Sequence, residues 1–246
     1  MTRWLNLQQG VIEPKDRSAF NIWCTFENRR PPVSGFDLTF SFDLDNYRDT
    51  NHYLPLVYLY TNLKKSNNKY SKHKITAESC AQPRKFNEDF FQKKTQFAAS
   101  FINNPHPTRL RAINGLNKIG QVDLFGRSVD NYVVDKIGTA SNYWFNVCFE
   151  NDLYPGYVTE KVLEAWIAGT VPLYWGIDKG GILNPDAMIN LNDFETMEAF
   201  IRHVSKIYSL PDEMKKIINQ PLFLKIPNED EIKNFVKRGL RFRAGL

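Results

Sequence analysis

A carboxylate and an ammonium group stand side by side at Glu160 and Lys161, in the segment CFENDLYPGYVTEKVLEAWIAGTVPLYWG that runs from Cys148 to Gly176. The pattern predicts a strand that ends at FEN and a helix that opens at TEK, because apolar residues then recur at helical spacing. Both side chains would lie in the first helical turn. Unpaired backbone N–H groups and the positive end of the helix dipole attract anions there.

This pair has the chemistry needed to bind a nucleotide. A lysine donates hydrogen bonds to phosphate oxygens, and a carboxylate accepts them from ribose hydroxyls. The spacing alone is equally compatible with a plainer interpretation, in which Glu160 only stabilises the helix dipole and Lys161 is solvated.

The elements around the pair predict a parallel sheet. The sequence favours strands at 96–104, 121–126, 144–151 and 171–176, and helices at 107–119, 131–143, 159–169 and 195–208. Strands that alternate with helices indicate an α/β fold with right-handed crossovers. Ligands in such sheets bind beyond the carboxyl ends of the strands, which is where Glu160 and Lys161 are predicted.

The N-terminal part of the sequence lacks this regular alternation of strands and helices. Strands are predicted at 18–28 and 36–45, and the Lys-rich stretch 62–94 is predicted to be a polar, exposed linker. We therefore expect a first domain over 1–94, a second over 95–215 and a basic helical tail over 216–246. The tail could lie on an anionic membrane, or pack across to the first domain, and packing is the favoured alternative.

Composition excludes several classes of protein. The chain has 246 residues, 42% hydrophobic and 24% charged, which is a globular balance. The net charge of +5 accompanies no nucleic-acid motif, so no nucleic-acid partner is expected. The three cysteines are widely spaced, and two lie in apolar runs that predict burial. With no signal-peptide core, a cytoplasmic location is expected, with peripheral contact at the inner face of a membrane; a Golgi location would follow only for a fragment.

These residues support a family resemblance. The segment CFEN…GYVTEKVLEAWIAGTVPLYWG resembles the donor-binding signature of the α1,3-fucosyltransferases, which use GDP-fucose with inversion. SFINNPHPTRLRAINGLNKIGQVDLFGR and WCTFENRRPPVSGFDLTFSFD are similar to two further segments of that family, so the likeness covers residues 21–208. It implies a GT-B-like fold with two facing Rossmann-like domains, of which the N-terminal one is expected to be truncated, because only 26 residues precede Glu27.

The resemblance also implies residue roles. Glu27 matches the carboxylate that acts as general base, and Arg111 matches the arginine on the diphosphate, with Arg109 as the alternative. The remaining donor-binding positions are Asn151, Tyr157, Glu160, Lys161, Gly126 and Arg127. The implied reaction transfers fucose from GDP-fucose to a GlcNAc-containing oligosaccharide acceptor through an α1,3 linkage. The alternative is an inactive remnant that binds a nucleotide or glycan.

No metal or other cofactor is expected. The four histidines are scattered, and none pairs with a carboxylate at ligand spacing. Asp43 and Asp45 form the short acid-x-acid pattern that holds Mn²⁺ in other glycosyltransferases, but the pattern is common by chance and lies in the acceptor-side half. Arg111 and Lys161 are expected to neutralise the leaving diphosphate instead.

Overall fold

Two parallel sheets form the framework of the molecule. The computed structural model describes residues 5–9, 16, 18–25, 27–32, 34–61 and 75–245. The first sheet has the order β1-β2-β3-β4, with β1 at Leu5–Gln9, β2 at Phe20–Cys24, β3 at Leu38–Ser41 and β4 at Asn51–Tyr53. The second sheet has the order β6-β5-β7-β8-β9, with β5 at Gln96–Phe101, β6 at Val122–Phe125, β7 at Tyr143–Val147, β8 at Val171–Tyr174 and β9 at Ile189–Asn190.

Helices connect the strands and cover the sheets. The described helices are α1 at Leu56–Leu59, α2 at Ala77–Cys80, α3 at Glu88–Gln92, α4 at Pro107–Leu116, α5 at Lys136–Ala140, α6 at Glu160–Ile167, α7 at Met197–Tyr208, α8 at Pro211–Asn219 and α9 at Glu229–Ala244. Every strand pair is parallel, so the predicted α/β class is confirmed. None of these helices has the length and apolar content needed to cross a bilayer.

The order of the second sheet creates a crevice between β5 and β7. From β5 the chain moves outward to β6 on one side, whereas β7, β8 and β9 extend the sheet on the other. The loops that leave β5 and β7 at their carboxyl ends therefore diverge, which is the switch-point geometry at which open α/β sheets bind ligands. The predicted strands are confirmed in position, although β5 ends at Phe101 and β7 at Val147, before the ends predicted at 104 and 151. The helix predicted at 159–169 is confirmed as α6, and Gly169 follows it with a φ of 67°.

The helix predicted over 131–143 is wrong at its N-terminal end. Helix α5 covers only Lys136–Ala140, because Asn131 forms an antiparallel bridge with Gly126 and so cannot join a helix. Asp135 then caps the shortened helix by accepting a hydrogen bond at 2.8 Å from the amide of Gly138.

The linker predicted over 62–94 is not an exposed excursion where the structure describes it. Residues 62–74 lie outside the described residues. Over 75–94 the chain forms α2 and α3 and buries Ala77, Cys80 and Phe91. Lys94 is buried too, where its ammonium group donates 3.0 Å hydrogen bonds to the carbonyls of Ser141 and Tyr143.

The C-terminal tail returns to the first sheet. Residues 216–219 complete α8, and α9 then packs Phe235 among Phe20, Ile22 and Leu38. Gly239 allows close approach, because a Cβ atom at this position would lie 2.7 Å from a methyl group of Leu38. Of the two alternatives drawn from the sequence, the structure shows packing.

We predict that this contact contributes substantially to stability. Phe235 is 3% exposed, so replacing it with Ala should lower the free energy of unfolding in urea by about 3 kcal/mol through lost burial and a cavity. Phe242 lies on the same helix and is 88% exposed, so Phe242→Ala should change stability by less than about 0.5 kcal/mol. Equal effects of the two substitutions would show that α9 does not pack on the first sheet in solution.

Candidate functional site

A cleft opens at the switch point between β5 and β7. It is lined by the end of β5 and the residues that follow it, by the carboxyl end of β7 and by residues of α4, α5 and α6. The lining residues are Phe101, Asn103, Asn104, Arg109, Lys136, Asn146, Val147, Cys148, Phe149, Asn151, Glu160, Lys161 and Glu164. The structure thus brings together three of the predicted donor-binding residues, Asn151, Glu160 and Lys161, and also Arg109.

Helix α6 begins at this cleft because of a buried carboxylate. Its N-cap residue, Thr159, does not cap the helix with its own side chain. Instead the Thr159 amide donates to Glu150 Oε1 at 2.8 Å, and the Thr159 hydroxyl donates to Glu150 Oε2 at 2.7 Å. A negative charge beside the helix N-terminus is favourable, since it faces the positive end of the dipole. Glu150 therefore holds the start of α6 against the end of β7.

Glu150 also gathers two further donors. Its side chain is fully buried, and it accepts hydrogen bonds at 3.3 Å from the Lys161 ammonium and from the Tyr174 hydroxyl. Burial raises the pKa of Glu150, and the bonds from Lys161 and Thr159 oppose that rise. Glu150 was not among the site residues predicted from the sequence. Its position in FEN, immediately after a buried strand, was the available signal.

Lys161 is held at the cleft wall by this network. Its ammonium group donates at 3.3 Å to Glu150 and at 2.9 Å to the Thr159 hydroxyl. Burial alone would lower the pKa of Lys161, but the carboxylates of Glu150 and Glu160 outweigh burial and raise it. Lys161 is therefore a cation at neutral pH. An ammonium group has three N–H donors, so one remains for a ligand in the cleft.

The arginine on the cleft is Arg109 and not Arg111. Arg109 is 2% exposed, and its guanidinium donates at 2.7 Å to the Phe149 carbonyl and at 3.1 Å to the Glu150 carbonyl. Arg111 is exposed and lies beside α7, because two residues along a helix turn a side chain through about 200° to the other face. The structure therefore corrects the placement of Arg111 in favour of the alternative.

Arg109 organises both loops that border the cleft. Besides the two carbonyls after β7, it donates to the Asn104 carbonyl and, at 3.3 Å, to Asn151 Oδ1. Asn104 follows β5 and Asn151 follows β7, so one side chain joins the two diverging loops across the switch point.

Tyr157 does not line the cleft. It is buried at the junction between the two halves of the molecule, where its ring meets Phe42 edge-to-face at 4.6 Å between centroids. Burial and the neighbouring carboxylates, Glu150 first among them, raise its pKa. Its geometry is that of a packing residue that joins the loop between β7 and α6 to the first sheet.

The turn at Gly126 and Arg127 borders the cleft from outside. Gly126 has a φ of 137°, and a Cβ atom there would lie 2.0 Å from the Ile102 carbonyl oxygen, so only glycine fits. The Arg127 amide donates at 3.3 Å to Asn103 Oδ1, and Asn103 lines the cleft. The exposed Arg127 side chain itself lies over the Tyr132 ring.

Glu27 is exposed in the loop that follows β2. Its backbone is fixed by the Thr25 hydroxyl, which donates at 2.9 Å to the Glu27 carbonyl. The next residue, Asn28, donates at 2.6 Å to Asp152 in the loop that follows β7. The loop that carries Glu27 therefore reaches the loop that carries Asn151.

A second charged pair in the cleft was not predicted from the sequence. Lys136, the first residue of α5, lies 3.5 Å from Glu164, one turn after Glu160 on α6. Asn103 and Asn104 were likewise missed. The signal available was the general rule that polar residues after strand ends meet at the switch point.

The acid-x-acid pattern is engaged in hydrogen bonds. Asp43 accepts from the hydroxyl groups of Tyr47 and Tyr154, and Asp45 accepts at 2.9 Å from the Tyr47 amide. Within the described ranges, no three His, Cys, Asp or Glu side chains are grouped so as to hold a metal ion. All three cysteines are buried, as expected for the two in apolar runs.

Comparison with known proteins identifies the family. Residues 91–219, slightly more than half of the chain, match the C-terminal part of glycosyltransferase family 10 (fucosyltransferase). The chain belongs to this family. The match includes all of β5 to β9, and with them the cleft, and it confirms the resemblance drawn from the signature segment.

Relatives in the family share more of the chain. The α-(1,3)-fucosyltransferase FucT of Helicobacter pylori is 29% identical over 216 residues, which are 78% of this chain and 45% of that protein. A putative fucosyltransferase, R654, of Acanthamoeba polyphaga mimivirus is 30% identical over 55% of this chain and 25% of its own length. The chain therefore spans less than half the length of these relatives.

Solved structures agree on the fold. A crystal structure of α1,3-fucosyltransferase with GDP superposes with a TM-score of 0.72 at 24% identity, covering 96% of this chain and 78% of that one. One with GDP-fucose has a TM-score of 0.72, 25% identity and the same coverage. The expected two-sheet architecture of these fucosyltransferases is thereby confirmed.

We predict that Glu150 stabilises the family's signature segment. Glu150→Gln should lower the free energy of unfolding by about 3 kcal/mol, because it removes one partner of a buried ion pair and places an amide against the Thr159 donors. Glu160→Gln is the matched control, since Glu160 is only partly buried and should shift stability by less than about 0.5 kcal/mol. Urea unfolding measures both, and a Glu150→Gln variant as stable as the control would contradict the role given to Glu150.

Proposed function

We propose that this chain binds GDP-fucose in the cleft and transfers fucose, with inversion, to a hydroxyl group of a GlcNAc-containing glycan through an α1,3 linkage. The observation that carries the proposal is the convergence of Lys161, Arg109 and the N-terminus of α6 on one cleft in a chain of this fucosyltransferase family. Solved relatives contain GDP and GDP-fucose, which supports this nucleotide as the donor.

The diphosphate would lie at the start of α6. Unpaired backbone N–H groups, the helix dipole and the remaining N–H donor of Lys161 all favour an anion at this position. Arg109 adds a second positive charge behind the loop of Asn151. These groups stabilise the negative charge that develops on GDP as it leaves, and they are already fixed before the reaction, so no reorganisation is needed.

The sugar-binding roles follow from the same cleft. Glu160 presents a carboxylate to the ribose hydroxyls, and Asn151 offers an amide beside the diphosphate. The turn at Gly126 and Arg127 would act on the nucleotide indirectly, by holding the side chain of Asn103 in the cleft lining. Because Lys161 and Arg109 supply positive charge themselves, we propose that transfer requires no metal ion.

Glu27 is proposed as the general base. In an inverting transfer the acceptor hydroxyl attacks the anomeric carbon of fucose from the face opposite GDP. Its proton passes to the Glu27 carboxylate, the new C–O bond forms, and the bond to the diphosphate oxygen breaks with its electron pair on GDP. The loop of Glu27 reaches the loop after β7, which carries Asn151, through the hydrogen bond from Asn28 to Asp152, and this contact supports the assignment.

Peripheral membrane contact is proposed for the outer face of α9. While Phe235 faces the first sheet, Lys233, Lys237 and Arg241 are exposed on this helix. A basic helix face is attracted to anionic lipid headgroups, where lipid-linked acceptors would be found.

We predict that two carboxylate substitutions separate binding from chemistry. Glu27→Gln should lower fucosyl transfer by about 10²–10⁴-fold, the usual contribution of a general base, and leave GDP affinity unchanged. Glu160→Gln should mainly weaken GDP and GDP-fucose binding. Transfer assays and calorimetric titration measure the two effects. A fully active Glu27→Gln variant would remove Glu27 as base, and a wild-type chain that binds GDP without any transfer would favour the inactive remnant.

A further inference from the structure

Asp43 lies at the centre of a polar cluster between the two sheets. Its side chain is 10% exposed, and Oδ2 accepts hydrogen bonds from the Tyr47 hydroxyl, from the Tyr154 hydroxyl at 3.3 Å and from the Arg30 guanidinium at 3.5 Å. Burial alone would raise the pKa of Asp43, but the bonds from Tyr47 and the Asp45 amide and the charge of Arg30 lower it. The carboxylate is therefore ionised at neutral pH and binds donors from both halves of the molecule.

An unusual turn brings Tyr47 to this cluster. Tyr47, Arg48 and Asp49 have φ values of 46°, 62° and 67°, so three successive non-glycine residues are left-handed. L-residues rarely adopt this conformation, because the Cβ atom approaches the carbonyl oxygen. It persists where surrounding contacts impose it, and such outliers cluster at functional sites.

The cluster connects the loop that carries Glu27 with the loop between β7 and α6, which carries Asn151 and Tyr154. The Arg30 guanidinium lies 3.2 Å from the centre of the Tyr154 ring, and it also donates to Asn28 Oδ1. Asn28 in turn donates to Asp152. Within the described residues, this cluster therefore reaches the second half through Tyr154 and through Asp152. Glu27 immediately precedes Asn28, and Asn151 immediately precedes Asp152.

We infer that Asp43 is a positioning residue that fixes the Glu27 loop relative to the cleft, acting through Arg30 and Tyr154. Asp43 does not touch the reacting atoms in this assignment. Its role follows from the bonds that it forms to both halves, and it rests on the proposed function, because Glu27 is the proposed base. The short acid-x-acid pattern thereby gains a use that needs no metal ion.

The assignment predicts a specific kinetic effect. A general base that is displaced by about 1 Å loses about 10²-fold in rate, whereas binding at a separate cleft is unaffected. Asp43→Asn should therefore lower kcat by at least about tenfold while the KM for GDP-fucose stays within about twofold, since the amide pairs poorly with Arg30 and accepts through one oxygen only. Tyr154→Phe removes a single hydroxyl group, so it should lower kcat by less than Asp43→Asn does and likewise leave the KM for GDP-fucose within about twofold.

Matched variants make the test selective. Asp45→Asn changes the other carboxylate of the same pattern, which is exposed and bonds only within its own turn in the described structure, so its kinetics should match wild type. The double variant Asp43→Asn/Tyr154→Phe should lose no more than Asp43→Asn alone, because both changes break one network. Additive losses, or equal losses for Asp43→Asn and Asp45→Asn, would overturn the inference.

Hydrogen exchange tests the same inference without activity. The Arg29 amide, which donates at 2.7 Å to the Glu27 carbonyl, should exchange faster in Asp43→Asn and in Tyr154→Phe but not in Asp45→Asn. If wild type transfers no fucose, the proposed function fails while this exchange pattern still decides the role of Asp43. Unchanged exchange in a folded Asp43→Asn variant would overturn that role.

Discussion

The buried carboxylate of Glu150 is the interaction on which the candidate site depends. It lies shortly after the end of β7. Its two oxygens accept hydrogen bonds from the amide and hydroxyl of Thr159, from the Lys161 ammonium and from the Tyr174 hydroxyl of β8. One side chain therefore links two neighbouring strands to the helix that follows one of them. A fully satisfied network of this kind in a low-dielectric interior fixes one arrangement, because any displaced donor leaves a buried charge unpaired. The position of Lys161 at the cleft is a consequence of that network.

Packing on the opposite side of α6 reinforces this arrangement. The apolar face of the helix, which includes Val162, Leu163 and Trp166, packs with Cys80 of α2 and with Leu222. Arg84 stacks on the Trp166 ring, 3.6 Å from its centre, so the described part of the predicted linker covers the far end of the helix. The signature loop between β7 and α6 is held in turn against the first sheet by Tyr157 and Phe42. The start of α6 is thus held by contacts within the protein on one side and lines the cleft on the other, an arrangement that suits electrostatic stabilisation of a leaving diphosphate.

Much of this structure follows from local sequence patterns, and the exceptions have identifiable physical causes. The strands and α6 were predictable because apolar periodicity and stop signals such as Gly169 agree with the tertiary fold. The roles of Glu160 and Lys161 as neighbours at a helix start were predictable for the same reason. Glu150 was not, because its role depends on donors from the start of α6 and from β8, which meet only in the folded chain. The choice between Arg109 and Arg111 depended on which helix face meets the β7 loop, and Asp43 on contacts across the two sheets. Residues 75–94 were predicted to be part of a linker because their apolar side chains are scattered in a Lys-rich stretch, although Ala77, Cys80 and Phe91 are buried.

The start of α6, with Lys161, is proposed to bind the diphosphate of the donor. Calorimetric titration of wild type and Lys161→Ala with GDP and with guanosine, repeated with EDTA, tests it most directly, and the exposed Lys179→Ala serves as the control. We expect wild type to bind GDP far more tightly than guanosine, with or without EDTA. Lys161→Ala should then lose about tenfold or more in affinity for GDP while guanosine binding is unchanged, since a charge-assisted hydrogen bond contributes about 1.5–3 kcal/mol. Equal losses for both ligands, or a wild type that does not distinguish them, would show that Lys161 does not bind the diphosphate.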